Sequence, residues 1–181
     1  MIYFTSDTHF GHANIIKYCD RPFATVEEMN EALVKNWNSR VSPSDTVYHL
    51  GDFAMGGKDN LNIRSRLQGK IVLIRGNHDR SCEQMAPYGF SEIYDNLKLE
   101  VDGVKLYLAH IAHHIADPYA GRNTTEKILP ELLVPPPIDF DYFLCGHVHE
   151  KWTRHFNTIN VGVDVCNFHP MTLAEVLKRD D

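Results

Sequence analysis

The sequence predicts an α/β protein whose strands carry polar residues at one edge of a sheet. Five runs of apolar, β-prone residues are each followed within three positions by aspartate, asparagine or histidine. The first half of the chain alternates strand-like and helix-like segments, which is typical of a parallel sheet with helices packed outside. Because the carboxyl ends of parallel strands meet at one edge, these polar residues are predicted to lie close together.

The first three strands are predicted to be separated by helices. Thr25 and Glu28 have the spacing of a capping box, and Met29, Leu33 and Trp37 continue a helical stripe behind them. The predicted order is strand 2–5, helix 11–18, helix from the Thr25 cap to about residue 40, strand 45–50, helix 60–67 and strand 70–75.

The second half predicts a hairpin and further strands. Asp102 and Gly103 separate two alternating segments, at residues 97–101 and 104–108, and this dipeptide is a strong hairpin signal. Helical spacing occurs at residues 124–133. Further strands are predicted at residues 142–145, 152–156, 158–165 and 173–177. The two halves therefore indicate two sheets packed face to face, with helices outside.

Length and composition predict one domain over residues 1–181. The chain is 43% hydrophobic, which is enough for one substantial core. No run approaches the roughly 18 apolar residues of a membrane span, and the chain starts directly with a strand, so a cytoplasmic location is expected. The cysteines form no CxxC pair, which indicates reduced thiols. They are Cys19, Cys82, Cys145 and Cys166.

The acidic balance disfavours a partner that is recognised by broad positive charge. The formal net charge is −6, and adding the four positive charges of two divalent ions leaves −2. Neither value gives the electrostatic footprint of a nucleic-acid-binding protein, and the chain has no long Lys/Arg run. An anionic substrate is therefore expected to be attracted locally, by bound metal ions.

The polar clusters consist of metal-ligand residue types. Asp7 and His9 are two positions apart, and on an extended backbone both would face one ion. Asp52 follows Gly51 and can offer one oxygen to each of two ions, which suits the ~3.5–4 Å separation of two-metal sites. Asn77 can coordinate a second ion through its neutral amide oxygen.

Further histidines complete this set. His78 is predicted to remain available as a proton donor, with Asp79 orienting its imidazole and raising its pKa. His147 and His149 repeat the spacing of two. His110 ends a strand and offers one more nitrogen, with His113 as the second choice.

In this order the clusters resemble the pattern of the calcineurin-like metallophosphoesterase superfamily: D-x-H, G-D, G-N-H-D/E, a lone histidine and G-H-x-H. The resemblance covers residues 7–149 and implies a four-layer α/β/β/α sandwich of two mixed sheets flanked by helices. It implies that a hydroxide bridging two metal ions attacks phosphorus, while His78 acts as general acid. It assigns Asp7, His9, Asp52 and His149 to the first ion, and Asp52, Asn77, His110 and His147 to the second.

The chain departs from the pattern of the protein phosphatases in this superfamily. Those enzymes extend G-D to G-D-x-x-D-R-G, whereas residues 51–57 here read GDFAMGG and lack the arginine that grips phosphate. Protein Ser/Thr phosphatase activity is therefore not expected. His12, Arg80 and Arg21 are the candidates for the missing phosphate contact, with His12 at a predicted helix start. The mixed ligands suit manganese, which is favoured, or iron, zinc or nickel.

The predicted function is hydrolysis of a small phosphate ester. A phosphodiester is favoured, because the chain has no clear cap domain that would enclose a specific monoester. The alternatives are a phosphomonoesterase, a nuclease and a catalytically silent, metal-stabilised binding protein. The acidic balance speaks against the nuclease, and the intact proton donor His78 speaks against the silent protein.

Overall fold

The computed structural model describes residues 1–112, 115 and 139–179. The strands are β1 (Ile2–Thr5), β2 (Thr46–His49), β3 (Lys70–Ile74), β4 (Glu92–Tyr94), β5 (Asn96–Val101), β6 (Val104–Ala109), β7 (Tyr142–Cys145), β8 (Arg154–His155), β9 (Thr158–Asn160) and β10 (Met171–Thr172). The α-helices are α1 (Ala13–Tyr18), α2 (Val26–Asn38), α3 (Lys58–Leu61), α4 (Cys82–Met85) and α5 (Leu173–Leu177). Short 3-10 helices cover Asn62–Arg66, Ala86–Tyr88 and Val163–Val165.

The strands form two mixed sheets of five strands each. The first has the order β10-β1-β2-β3-β4, with β1 to β4 parallel and β10 antiparallel to β1. The second has the order β5-β6-β7-β9-β8, with β6, β7 and β9 parallel and antiparallel strands at both edges. The predicted α/β fold, with two mixed sheets and flanking helices, is confirmed.

Helix α2 covers the outer face of the first sheet. Its buried residues Met29, Leu33 and Trp37 share one hydrophobic cluster with Tyr3 of β1 and Val47 of β2. The helix begins where it is predicted to begin, because the hydroxyl of the N-cap residue accepts the N–H of the residue three positions later at 3.1 Å. The predicted helical stripe is therefore the buried face of this helix.

The two sheets pack face to face through a second hydrophobic cluster. Phe4 faces this inner layer, one position after Tyr3, which faces the helix side. In β6, Leu106 and Leu108 face the inner layer, while Tyr107 belongs to a third cluster on the outer face of the second sheet. The alternation of buried side chains on both faces fixes the register of the central strands.

One predicted strand is a helix. Residues 173–177 form α5, because Thr172 and Glu175 make a capping box at its start. The Glu175 carboxylate accepts the Thr172 N–H at 2.8 Å, and Leu173 and Val176 are buried one helical turn apart. The sequence prediction of a strand is therefore wrong at this position.

Other boundaries also differ from the prediction. Of the predicted strand 158–165, only the residues of β9 form a strand, and the last three residues form a 3-10 helix. The predicted helix 60–67 is divided between α3 and a 3-10 helix. Strand β4 was not predicted. The predicted helix 124–133 lies outside the described residues, as does the alternative ligand His113. Within the described ranges, no helix combines the length and the apolar character that crossing a bilayer requires.

Candidate metal centre

The carboxyl ends of five strands bring the predicted ligands to one rim of the packed sheets. Beyond the strands the loops continue side by side: the Asp7 N–H donates to the Gly51 carbonyl and the His9 N–H to the Asp52 carbonyl, both at 3.0 Å. The residues carried by the loops after β1, β2, β3, β6 and β7 are Asp7 and His9, Asp52, Asn77, His110, and His147 and His149.

The ligand atoms form two overlapping groups. Atoms of Asp7, His9 and His149 lie within 4.8 Å of one another, and so do atoms of Asp7, Asp52 and His110. All five residues are buried. Two groups that share a carboxylate are the arrangement that two neighbouring cations require.

One oxygen of Asp52 lies at the centre of three imidazoles. Its Oδ2 is 3.4 Å from His9 Nε2, 3.3 Å from His110 Nε2 and 3.7 Å from His78 Nε2. Burial raises the pKa of this carboxyl, but His110, His78 and His9 outweigh it and hold the pKa well below its usual range. The carboxylate is therefore ionised and faces both ligand groups.

The amide of Asn77 connects the second group to the loop after β7. Its Oδ1 is 3.1 Å from His110 Nε2 and 3.1 Å from His147 Nδ1. The backbone N–H of His147 donates to the Asp7 carboxylate at 3.1 Å. Ligands from the first and the second sheet thus meet at this point.

A backbone carbonyl selects the tautomer of His110. The carbonyl of Leu50 lies 2.7 Å from His110 Nδ1 and can only accept, so Nδ1 carries the hydrogen and Nε2 faces Asp52 and Asn77. Burial lowers the pKa of His110, but Asp52, Asp7 and the Leu50 carbonyl together raise it to about 9. A cation held by Nε2 would take the place of this proton.

The environment of His9 fits a metal ligand. Both ring nitrogens are buried, and neither has a hydrogen-bond partner in the part of the chain that the structure describes. Burial lowers the pKa of His9 well below its ordinary value, so the imidazole is neutral. Buried polar atoms without partners are uncommon and call for an explanation, which a bound cation provides. The carboxylate, amide and imidazole donors at this rim fit divalent transition-metal ions.

Most of the predicted ligands have an unusual backbone conformation. The φ angles are 58° at Asp7, 48° at His9, 55° at Asp52, 70° at His147 and 47° at His149. These angles are left-handed, which corrects the expectation that pairs two positions apart converge on an extended backbone. Such conformations cost about 1–3 kcal/mol each and persist where the surrounding contacts determine them.

His78 and Asp79 do not form the predicted pair. The Asp79 carboxylate instead accepts backbone N–H groups of Asp52, Phe53 and Gly76, at 2.8, 3.0 and 2.8 Å. Burial and the nearby Asp52 raise the pKa of Asp79 to about 6. Asp79 therefore joins the loops after β2 and β3, while the His78 side chain is 22% exposed beside the ligands.

The three candidates for phosphate contact have different positions. The His12 ring lies 5.4 Å from the His9 ring and is half-buried, and Arg80 is half-buried and donates to the Gly56 carbonyl at 2.8 Å. The Arg21 side chain is fully buried, and its guanidinium binds Asp164 and backbone carbonyls. The prediction that Arg21 contacts substrate is wrong, because its donors are occupied inside the protein.

Sequence reasoning missed Asp164. Its carboxylate oxygen Oδ2 lies 2.8 Å from His149 Nδ1, behind the ligand groups. Asp164 comes shortly after β9, which is parallel to β7 and ends at the same rim. A polar residue placed soon after a strand is the same signal that marks the predicted ligands, and Asp164 carries it after β9.

The fold and the site together define a class: an α/β protein of two packed mixed sheets, with a cluster of residues that could hold divalent metal ions at the strand ends. Residues 1–167 match the calcineurin-like phosphoesterase superfamily domain, and the chain belongs to this superfamily.

Similar proteins have comparable length. The chain is 37% identical over 188 residues to the uncharacterized protein MJ1445 of Methanocaldococcus jannaschii, covering 98% of this chain and 89% of that protein. It is 30% identical over 186 residues to the gene 66 protein of Mycobacterium phage D29, covering 90% and 87%. The crystal structure of AQ665 from Aquifex aeolicus, a protein of unknown function, is similar with a TM-score of 0.74 and 29% identity, covering 98% of both chains.

Proposed function

We propose that the protein hydrolyses a small phosphate ester, with two divalent metal ions held at the rim of its sheets. The observation that carries this proposal is the pair of buried, overlapping ligand groups around Asp7. Membership of a phosphoesterase superfamily supports the same reaction class. In this proposal residues 1–181 act as a single domain.

The proposed assignment of ligands follows the superfamily resemblance, which gives Asp7 to the first ion although Asp7 belongs to both ligand groups; the contacts of Asp52 support its role. Asp52 is the shared ligand, because a single carboxylate oxygen lies 3.4 Å from His9 Nε2 and 3.3 Å from His110 Nε2. Manganese is the favoured metal, and iron, zinc and nickel suit the same donors. The first ion takes Asp7, His9, Asp52 and His149, and the second takes Asp52, Asn77, His110 and His147.

The residues around the metals have separate tasks in the reaction. Bound divalent ions would polarise a phosphoryl oxygen and lower the pKa of an attacking water. His78 would donate the proton to the leaving oxygen, since its partly exposed side chain lies beside Asp52 and can reach a substrate. Asp79 would act as a positioning residue, because its carboxylate holds the loops that carry Asp52 and Asn77.

His12 and Arg80 are the remaining candidates for substrate contact. Burial and the neighbouring His78 lower the pKa of His12, so the ring would offer a neutral hydrogen bond rather than a positive charge. Arg80 uses one donor on the Gly56 carbonyl and carries the permanent charge that an anionic oxygen prefers. Of the two, Arg80 is therefore the stronger candidate for binding phosphate.

We favour a phosphodiester as the substrate class. Residues 1–167 match the superfamily domain, and the sequence pattern predicts no clear cap domain within this match. A site without a cap would accept an ester with substituents on both sides of phosphorus, whereas a specific monoester is better held in an enclosed pocket.

The deciding experiment compares Mn²⁺-dependent hydrolysis of bis-p-nitrophenyl phosphate and p-nitrophenyl phosphate. We expect the diester to be preferred, and Asp52→Asn to abolish turnover of both esters. A preference for the monoester would replace the diester proposal with a phosphomonoesterase. If neither ester turns over while metal analysis finds two ions per chain, the catalytic proposal for these esters is wrong and a binding role is favoured.

A further inference from the structure

A buried ion pair lies directly behind His149. The guanidinium of Arg21 binds the Asp164 carboxylate with two bonds, from Nε to Oδ1 at 2.7 Å and from Nη2 to Oδ2 at 2.9 Å. The side chains of Arg21 and Asp164 are 0% and 2% exposed. The same Oδ2 lies 2.8 Å from His149 Nδ1. The three side chains therefore form one continuous hydrogen-bonded chain.

Arg21 also holds the loop that carries two other proposed ligands. Its Nη2 donates to the Asp7 carbonyl at 2.7 Å, and its Nη1 donates to the Thr8 carbonyl at 3.1 Å. A second Nη1 contact reaches the sulfur of Met29 at 3.5 Å. The guanidinium thus joins the loop after β1 to Asp164, which lies 143 positions further along the chain.

We propose that Arg21 and Asp164 are positioning residues for the first metal ion, and we refer to them as the Arg21–Asp164 clamp. Asp164 accepts the Nδ1 hydrogen of His149, which leaves the lone pair of Nε2 to face the ion. Arg21 fixes the Asp164 carboxylate and, at the same time, the backbone at Asp7. The inference rests on the proposed function, since it concerns the same metal centre.

Asp164 also forms a group of possible ligand atoms with Cys19 and His149, all within 4.8 Å of one another, but its hydrogen bonds favour a role that acts through His149. Both of its oxygens accept from Arg21, and one of them also lies against His149. Burying such an ion pair has a desolvation cost that an apolar pair would avoid, so stability alone does not account for it. The left-handed backbone at Asp7 and His149 has to be held by its surroundings, and the clamp contacts both residues.

The test measures Mn²⁺ binding to the metal-free protein by isothermal titration calorimetry. We expect Asp164→Asn to weaken one of the two sites by about 10–100-fold, the usual effect of losing the partner of a metal-bound histidine. The second site is expected to stay close to wild type. Arg21→Lys keeps the charge but loses the two-bond geometry, and it should weaken the same site to a smaller extent.

The matched control is Asp95→Asn. Asp95 pairs with Arg75 Nε at 2.8 Å, so this variant breaks another Arg–Asp ion pair that does not contact a first-ion ligand in the described part of the chain. Its Mn²⁺ affinities are expected to remain within about twofold of wild type, even where thermal stability falls. Equal loss of affinity in Asp95→Asn and Asp164→Asn would overturn the inference, because the effect would then follow stability alone.

A spectroscopic measurement distinguishes a change in the His149 tautomer from a general loss of order around the site. In Zn²⁺-loaded wild type, long-range ¹H–¹⁵N spectra should show His149 with its hydrogen on Nδ1, and Asp164→Asn should change this signal. Unchanged affinity and an unchanged His149 signal in the folded variant would overturn the clamp. If Asp164→Asn does not fold, Arg21→Lys decides by the same two measurements. If wild type binds no metal, the proposed function itself fails, which is a different outcome.

Discussion

The His78 side chain is partly exposed and lies close to the Asp52 carboxylate. Its backbone N–H donates to Asp52 Oδ1 at 2.9 Å, and its ring lies 5.3 Å from the ring of His9. A side-chain substitution therefore leaves the backbone bond to Asp52 intact. This separation allows proton donation to be tested apart from metal binding.

We expect His78→Asn to lower kcat by about 10²–10⁴-fold, the usual contribution of a general acid, while two Mn²⁺ ions still bind. Steady-state kinetics and metal analysis of the same preparation would measure both quantities. His155→Asn is the control, since His155 is exposed and lies in β8. Wild-type turnover by a metal-loaded His78→Asn variant would remove His78 from the mechanism.

His49 is a buried histidine outside the proposed ligand set. Its Nε2 lies 3.0 Å from the Thr8 hydroxyl, and its ring contacts Trp37 and Phe53. Burial lowers the pKa of His49 from 6.5 to about 3. Below pH 6.5 this histidine is protonated in the unfolded chain but stays neutral in the folded protein. The stability that its neutral, buried ring contributes is therefore fully present above pH 6.5 and is lost as the pH falls toward 3.

In the metal-free protein we expect the protonation of His49 in the unfolded chain to reduce the free energy of unfolding by about 2 kcal/mol when the pH is lowered from 7 to 5. Urea denaturation of wild type and His49→Gln at both pH values would measure this contribution. The variant should be less stable at pH 7 but should lose less stability on acidification. The same pH dependence in both proteins would contradict the assignment.

At the scale of elements, close contact between loops forms the site. A Cβ atom added at Gly146, after β7, would lie 2.0 Å from Ser6 Oγ and 2.5 Å from Asp7 Oδ2. The loops after β1 and β7 therefore touch where only glycine leaves room. This contact joins the two sheets at the candidate metal centre, together with the Val163 N–H, which donates to the Ser6 carbonyl at 3.0 Å.

We expect Gly146→Ala to displace the Asp7 carboxylate, because an added Cβ would lie 2.5 Å from Asp7 Oδ2. Ser6 Oγ, at 2.0 Å from the same Cβ, would have to give up its hydrogen bond to the Leu50 carbonyl to make room. A displacement of about 1 Å can reduce turnover on the order of 10²-fold, and Mn²⁺ affinity should fall as well. Calorimetry and diester hydrolysis would measure the two effects. Gly57→Ala is the matched control, since a Cβ atom there meets nothing within 4 Å. A similar loss of turnover in both variants would count against the close contact.

Helix α5 shows why a local sequence pattern can predict the wrong type of secondary structure. Residues 173–177 are apolar at several positions, which fits a short strand as well as a short helix. The capping box of Thr172 and Glu175 favours the helix, and β10 takes the strand position beside β1 just before it. The Thr25 cap predicts α2 because a long helical stripe follows it, whereas the cap at Thr172 is followed by only about one turn of helix.

At the scale of the whole molecule, the proposed ligands come from both sheets. Asp7, Asp52 and Asn77 follow strands of the first sheet, while His110 and His149 follow strands of the second. Ions bound between them would join the two sheets, and the unfolded chain holds no such arrangement. Metal binding should therefore stabilise the packing of the entire fold.

We expect Mn²⁺ at about 100 times its dissociation constant to raise the free energy of unfolding by about 3 kcal/mol for each ion bound, relative to the metal-free protein. Thermal denaturation with Mn²⁺, with a chelator and after Mn²⁺ is restored would measure the shift and its reversibility. Asp52→Asn should show little of this shift. Equal melting temperatures with and without Mn²⁺ in wild type would contradict a centre that spans both sheets.

The sequence by itself determined the fold class, the superfamily and the polar residues that meet at the rim. These follow from local information: strand periodicity, and ligand types placed just after strands such as β1 and β7. The tertiary structure decided the function of residues whose partners lie far away in the chain. Arg21 is a residue type that often binds phosphate, but here its side chain is buried against Asp164. The Asp79 carboxylate accepts backbone N–H groups and does not pair with His78. Burial and hydrogen-bond partners depend on the packing of distant segments, so local sequence patterns do not reveal them.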